Sequence, residues 1–297
     1  MSAHNKNSLA PLLLCLFILL ISACTPKTTK TRFKLPPLLK EVSGLYLENS
    51  KSFWWHNDGG YPPTLYKTNG RGQVTDSLCI PTLRNKDWED LTSDDEGNIY
   101  IGDFGNNLNR RKDLRIYIYH RESRQLDSIL FQYPDQKLFP PKLEDWNFDM
   151  EAFFWHNHKL HLFSKNRVKQ GDYYCKHYTL DERGRNQTAI LCDSIYLKKR
   201  VVTAAAISPD GETVALLSYH YKKLLGIIPF SRASIFYFSK FEGNDFLKGK
   251  MRRRRAPMFI VATQLESIDF LNNQLLYVAS EQTLFIKPKA RRVRVKE

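Results

Sequence analysis

The feature that most constrains this chain is a short unit that recurs with a nearly constant internal spacing. Its clearest copy is Asp87–Asn107, reading DWEDLTSDDEGNIYIGDFGNN. It has an acidic entry (Trp88, Glu89, Asp90), a short strand, an Asp94–Asn98 turn, and a second strand, Ile99–Gly102, that ends in Asp103. Apolar runs of this length bounded by Gly, Asn and Asp read as strands, and Gly97 with Asn98 tolerates the positive φ of a tight hairpin. Similar units open at Ser43-Gly44-Leu45, Glu151-Ala152-Phe153, Ala204-Ala205-Ala206 and Glu266-Ser267-Ile268. The entry-to-exit offsets to Asp58, Asp103, Lys165, Tyr219 and Glu281 are 15, 14, 14, 15 and 15 residues, while the units themselves stand 46 to 62 residues apart.

Two further strand candidates follow each hairpin. They are Thr64–Lys67 and Val74–Ile80, Leu114–Tyr119 and Ser128–Tyr133, Tyr173–Tyr178 and Thr188–Tyr196, and Ser234–Ser239 and Lys250–Arg255. The last unit offers Leu284–Lys287 and an edge at Arg291–Val295, with Arg32–Leu35 as the alternative outer strand that would close a ring. Four antiparallel strands per unit, repeated at this period, predict an all-β propeller of five blades. Six is the alternative, if a degenerate blade hides in Phe139–Phe148 or Tyr221–Phe230. Phe, Tyr and Trp at 13% suit strands sandwiched between neighbouring blades.

The first residues do not belong to that ring. Lys6, the apolar run Leu9–Ile21 and the sequence Ile21-Ser22-Ala23-Cys24 read as a signal peptide over 1–24 that resembles a bacterial lipobox. Cys24 is then the lipidated residue, 25–34 a polar tether, and 35–297 the propeller. The expected location is the cell envelope, anchored to a membrane by acyl chains, and in a Gram-negative bacterium the outer membrane, since no Asp follows Cys24.

The net charge of +14 is concentrated in two clusters, Arg252–Arg255 and Lys287–Lys296. They read either as contacts for anionic headgroups or an acidic polymer, or as positive outer strands that discourage edge-to-edge pairing. No nucleic-acid recognition motif is present, and a monomer is expected. Of the cysteines, Cys175 and Cys192 would face each other across a turn centred on Arg183-Gly184, a candidate disulfide, whereas Cys79 reads as a buried small hydrophobe.

In a propeller the first strand of each blade lines the channel, so Glu89, Glu151 and Glu266 are expected at one mouth, with Asn57, Asp58, Asp103, Asn166 and Glu281 around them. Clustered carboxylates need a cation, protons or basic partners. Oxygen-rich sites suit Ca²⁺ or Mg²⁺, with Glu89, Glu151 and Glu266 as candidate ligands; the other reading is that each Glu caps backbone amides or pairs with a base. Arg111 and Lys165 belong to a basic rim, with Arg110, Lys112, Arg167, Lys169, Lys222, Lys223 and Arg232, that would suit an anionic ligand. His56, Asp58 and Glu151 are the catalytic candidates, His56 as a general base beside Asp58. His156, His158 and His161 sit around a turn away from that face and do not converge as zinc ligands. No Ser lies in a GxSxG context, which disfavours a nucleophile-elbow hydrolase.

The strings EVSGL, WWHNDGG, DWEDL, YIGDFGNN, FDMEAFF, HLFSKNR and ALLSY resemble a family of exported bacterial propeller lipoproteins common among Bacteroidota, over most of residues 35–285. More distantly, Glu at the start of inner strands is similar to the gluconolactonase-like propellers. That resemblance implies a divalent cation held by one Glu (Glu89, Glu151 or Glu266) with Asn166, Asp58 and Asp103. The chain departs from the pattern by repeating the Glu in three blades and placing Ser43 and Ala204 in the other two. Two functions follow as expectations: an envelope-anchored propeller that binds a ligand or protein partner at the channel mouth, or a metal-dependent hydrolase of a lactone, ester or phosphoester in the same place.

Overall fold

The computed structural model describes residues 30–165, 173–224, 228–256 and 264–295. They form five sheets arranged as the blades of a propeller, each with four antiparallel strands and one of them extended by a fifth, short strand. A short N-terminal strand, β1 (Arg32–Lys34), is set apart and returns below. Blade one is β2 (Val42–Asn49), β3 (Ser52–Asn57), β4 (Thr64–Thr68) and β5 (Val74–Cys79). Blade two is β6 (Trp88–Ser93), β7 (Ile99–Asp103), β8 (Leu114–Tyr119) and β9 (Leu126–Gln132). Blade three is β10 (Met150–His156), β11 (Lys159–Ser164), β12 (Tyr174–Asp181) and, after a short β13 (Asn186–Thr188), β14 (Ile190–Tyr196). Blade four is β15 (Val201–Ile207), β16 (Thr213–Leu224), β17 (Ile228–Ser239) and β18 (Lys250–Arg255). Blade five is β19 (Leu265–Asn272), β20 (Leu275–Ser280) and β21 (Lys289–Arg294), completed by β1, which pairs with β21. The inner strands β2, β6, β10, β15 and β19 contact one another in that order around the ring, and β19 returns to β2.

The core lies between blades. Successive residues of a strand point to opposite faces, and here both faces are covered by a neighbouring blade. Trp54 packs against Trp88, Leu91 and Ile99 of blade two, while Phe53 and Trp55 turn to Tyr277 and Ala279 of blade five. Each of the five blade interfaces has its own apolar cluster of this kind. This two-sided burial is why Ser52–Asn57 is buried at every position.

Ring closure uses the two chain ends. Phe33 of β1 meets Phe53 edge-on at 5.6 Å and lies 6.0 Å from Tyr277, so the first strand is fixed to the last blade and also seals the first. Several expectations change here. The third strand of blade five is Lys289–Arg294; Leu284–Lys287 is instead a turn, with Phe285 99% exposed. The expected tether 25–34 ends earlier, since Arg32–Lys34 takes the closing outer-strand place expected for Arg32–Leu35. Among the described residues no sixth blade forms. Residues 139–148 carry only the 3-10 turn Leu143–Asp145, and the described part of 221–230 extends the β16–β17 hairpin. β13 is an addition, pairing in parallel with the outer edge of blade two.

Cys175 and Cys192 do not face each other. Cys175 pairs with Ile195, and a bulge between His177 and Tyr178 leaves Cys192 without a partner in the ladder. Cys175 thus stands three positions out of the register on which the disulfide depended; the bulge contributes one of them and a turn displaced from Arg183-Gly184 the rest. All three described cysteines are free, with Cys175 buried and Cys192 exposed. Cys79 is exposed too, because the outermost strand β5 lacks a neighbour on part of its surface.

Two outcomes are expected. Phe33→Ala should destabilise the fold by about 3 kcal/mol, read by urea unfolding. Cys79 and Cys192 should react with a thiol reagent in the native state, and Cys175 only in denaturant, with no change of melting temperature on adding reductant.

Candidate functional site

The five inner strands enter the channel with the same irregularity. In blade two Trp88 pairs with Asp103 and Asp90 with Gly102, which leaves Glu89 over. Blade three omits Glu151 between Met150 and Ala152, and blade five omits Glu266 between Leu265 and Ser267. Thr203 takes the place in blade four, and Ser43 with Gly44 in blade one. The blade-four equivalent is therefore Thr203 rather than Ala204. A bulge re-aims a side chain out of the strand's alternation, and five bulges in register aim five side chains at one mouth.

Hydroxyls at or next to these bulges join the blades. Ser43 donates to the carbonyl of Glu89, Ser267 to that of Ser43, and Thr203 to that of Leu265. One position beyond Glu89, Asp90 accepts from the amide of Phe153 in blade three at 3.1 Å, and three positions beyond Glu266, Asp269 accepts from that of Leu47 in blade one at 2.6 Å. The capping of neighbouring backbone, one of the two readings offered for the glutamates, thus falls to Asp90 and Asp269.

Glu89, Glu151 and Glu266 line one cavity of about 80 Å³, with Glu41, Asp58, Glu281, Gln264, Asn107 and Lys165. Lys165 is the one cation among these lining residues, and its ammonium is ion-paired with Glu151 in a buried contact. Asp87 was not among the expected site residues, yet Asp58, Asp87 and Glu89 each bring a carboxylate oxygen to within 4.8 Å of the others. Gly105 makes this approach possible: a Cβ there would stand 2.1 Å from Glu89 Oε1 and 2.5 Å from Asp87 Oδ2. In the other blades the matching exit positions carry Asp58, Lys165 and Glu281, whose amides, like that of Gly105, donate to the residue before the inner strand. The readable signal for Asp87 was its place beside Glu89 with a glycine at 105.

The acids titrate high. Burial, then the charges of Glu151 and Asp87, push Asp58 up to about 7. Burial, then Glu151 and Asp103, raise Asp87 to about 6, although Arg111 opposes this. Glu281 is raised to about 8 by burial and by Glu41, against a hydrogen bond from Gln264. Burial and neighbouring carboxylates hold Glu89 and Glu266 well above the usual carboxylate range. Burial alone would lower Lys165, yet the charge of Glu151 leads a set of neighbours that raise it.

Such a set fits a hard divalent cation. Ca²⁺ and Mg²⁺ take oxygen ligands, and Asp58, Asp87 and Glu89 supply three carboxylates. Asn107, which also lines the cavity, has a buried side-chain oxygen with no hydrogen-bond partner. The expected ligand set Glu89, Glu151 and Glu266 is revised accordingly, since Glu151 is committed to Lys165. An open groove of about 530 Å³ adjoins the cavity through Asn107 and is lined by Lys86, Asp87, Arg110, Arg111 and Lys112.

Other candidates move away from the site. His56 is wholly buried; its Nδ1 contacts the carbonyl of Asn57 at 2.9 Å, its ring meets Trp88 edge-on, and burial lowers it to about 4. It does not line the cavity and cannot serve there as a base. Asn57 is buried beside it and donates to the carbonyl of Leu38. Asp103 sits one register step short of the rim, with Phe104 turned into the core against Phe153 at 5.2 Å. Asp103 instead accepts from Arg111 at 3.0 Å and from the amide of Asp87 at 3.1 Å. Arg111 also donates to the carbonyl of Gly105 and pairs with Asp113, so it clamps the loop that carries Asn107. Asn166, Arg167, Lys169 and Cys24 lie outside the described residues. Of the histidines around the third-blade turn, His161 contacts His177 and His158 contacts Glu182, and they form no common centre. A separate groove of about 450 Å³ lies at the opposite ends of blades two and three, where Glu182 already accepts from Trp155 and Asp94 from Tyr100.

No protein-family model matches the chain, and no curated protein matches it by sequence. Solved structures do match. An α-L-arabinanase of Penicillium chrysogenum bound to arabinobiose has a TM-score of 0.52 at 9% identity, over 90% of this chain and 98% of that one. A gluconolactonase of Xanthomonas campestris has a TM-score of 0.45 at 11% identity, over 90% and 89%. An α-L-arabinofuranosidase of Fusarium graminearum has 0.48 at 10%, over 90% and 98%. At such identity the likeness is one of fold.

The raised acids set a pH dependence. In the unfolded chain Asp58 loses its proton near 4, but in the fold it keeps it until about 7. Its contribution is therefore present at low pH and is lost as pH rises from about 4 to about 7, on the order of 4 kcal/mol when fully ionised. With chelator present, melting temperature should fall over that window, and Asp58→Asn should flatten the fall.

Proposed function

We propose that the channel mouth binds a divalent cation, Ca²⁺ or Mg²⁺, and through it an anionic ligand whose far end lies in the adjoining basic groove. The observation that carries this reading is the convergence of Asp58, Asp87 and Glu89 within 4.8 Å. Three carboxylates at that separation repel unless protonated or bridged, and a cation removes the repulsion. Lys86, Arg110 and Lys112 around the groove complement a phosphate, carboxylate or acidic sugar. With the lipobox at Cys24, the proposed setting is the cell envelope, with the propeller tethered to a membrane by acyl chains and working as a monomer.

A second reading is a metal-dependent hydrolase of a lactone, ester or phosphoester at the same mouth. It is favoured by the position of Asp58, which lines the cavity beside Asp87 and Glu89 and would there act as general base rather than as a ligand. In that case Asp87 and Glu89 would hold the cation, which would supply Lewis acidity. Asp58 takes the proton, Lys165 holds Glu151, and Asn107 orients the ligand.

Metal analysis and thermal shift test the first reading. Ca²⁺ or Mg²⁺ at 100 times its dissociation constant should stabilise by about 2.7 kcal/mol, more strongly at pH 8 than at pH 5, because ligand carboxylates must shed their protons. Glu89→Gln should abolish the shift. Failure of every divalent ion to raise the melting temperature of the wild type would sink both readings. Chelator-sensitive turnover of a generic ester, lost in Asp58→Asn, would select the hydrolase.

A further inference from the structure

The outer strands of blades four and five and the closing strand carry KMRRRR, KARRVR and RFK, eleven basic residues with no acid among them. Strand alternation decides where they point. Ile235 and Tyr237 of β17 and Val293 of β21 belong to the apolar cluster between blades four and five. Arg254 lies opposite Ile235 and Arg252 opposite Tyr237, so both stand on the blade-four face that looks toward blade five. Lys289 and Arg291 alternate with Ala290, which packs toward blade one with Phe33, and they share the face of Val293. Arg32 and Lys34 flank Phe33 and lie directly across from Arg291 and Lys289. Six cations, Arg32, Lys34, Arg252, Arg254, Lys289 and Arg291, thus flank the outer end of one interblade cleft. Arg254 ties its walls together by donating to the carbonyl of Arg294.

This arrangement works against the fold. Like charges directly opposite in an antiparallel pair are destabilising, and here two such pairs lie side by side on β1 and β21. The neighbouring Arg32 and Lys34, with burial first, lower the pKa of Lys289. Protection of a sheet edge accounts for isolated positive residues on an outer strand; it does not account for cations facing one another across two blades. An anionic surface seated on the cleft does.

We infer that this cleft is the surface by which the propeller rests on a membrane, taking up the phosphates of anionic lipid headgroups. The inference rests on the lipid-anchor reading of Cys24, and chain length connects the two. Arg32 follows Cys24 by eight positions, and eight steps of about 3.5 Å span at most about 28 Å. The tether therefore brings β1, and the cations beside it, close to the bilayer that holds the acyl chains. One anchor with a polybasic surface gives the two signals that stable attachment takes. The ring would then sit on its edge, with the channel mouth opening sideways rather than onto the lipid.

The test uses the chain from Thr25 onward, which keeps every described strand of the closed ring. Sedimentation with vesicles of phosphatidylcholine alone is compared with vesicles that also contain phosphatidylglycerol. Binding is expected only to the anionic vesicles, released by high salt, and weakened about fivefold for each cleft cation neutralised. Arg252→Gln with Lys34→Gln, both on exposed edges, should lose about twenty-fivefold and keep the melting temperature, while Arg183→Gln on blade three should bind as wild type. Equal binding to both vesicle types, or unchanged binding by the double variant, would overturn the inference. So would capture of soluble polyphosphate without capture of anionic vesicles, which would mark the cleft as a site for an acidic polymer. Mass spectrometry of the full chain from membranes reads lipidation of Cys24 separately, so a failed anchor and a failed surface are told apart.

Discussion

Packing between blades is the interaction on which the rest depends. No blade has a core of its own; each strand is covered by a neighbour on either face, so apolar burial stabilises the ring only when the ring is complete. Phe33, Phe53 and Tyr277 make the last of these contacts, and they join the two ends of the chain. That closure also holds carboxylates from blades one, two, three and five around a single cavity. Left to themselves, these groups would separate, and the outward push at the mouth is opposed by aromatic contacts further out.

The mouth shows how a regular sheet is made to carry an irregular site. A bulge at the second or third residue of every inner strand turns Ser43, Glu89, Glu151, Thr203 and Glu266 to the same level. Whether a blade contributes an acid or a hydroxyl then decides between charge and adhesion. Ser43 and Thr203 bond to adjoining backbone, whereas the three glutamates are left facing the cavity. Gly105 gives up a side chain so that Asp87 and Glu89 can lie close to one another.

Charge is sorted just as sharply. The acids meet at the channel, and Lys165 is buried among them. The excess of positive charge lies on the rim groove and on the outer strands of blades four and five. Arg111 belongs to neither group, because its guanidinium is spent on Asp103, Asp113 and the carbonyl of Gly105. It fixes the loop from which Asn107 reaches the cavity.

The repeat of strand pairs determined the blade architecture and the place of Glu89, Glu151 and Glu266, since a constant offset within a hairpin survives any arrangement of the blades. Tertiary structure decided what spacing does not encode. A register three positions from the expected one separates Cys175 from Cys192, and one fewer step moves Asp103 off the rim, because strand faces alternate at every residue. His56 and Asp58 are neighbours in sequence, yet one is enclosed between blades and the other lines the cavity. Asp87 joined the site, and Glu151 left the candidate ligand set, for a reason visible only in three dimensions: which carboxylate has a lysine at hand depends on where separate blades meet.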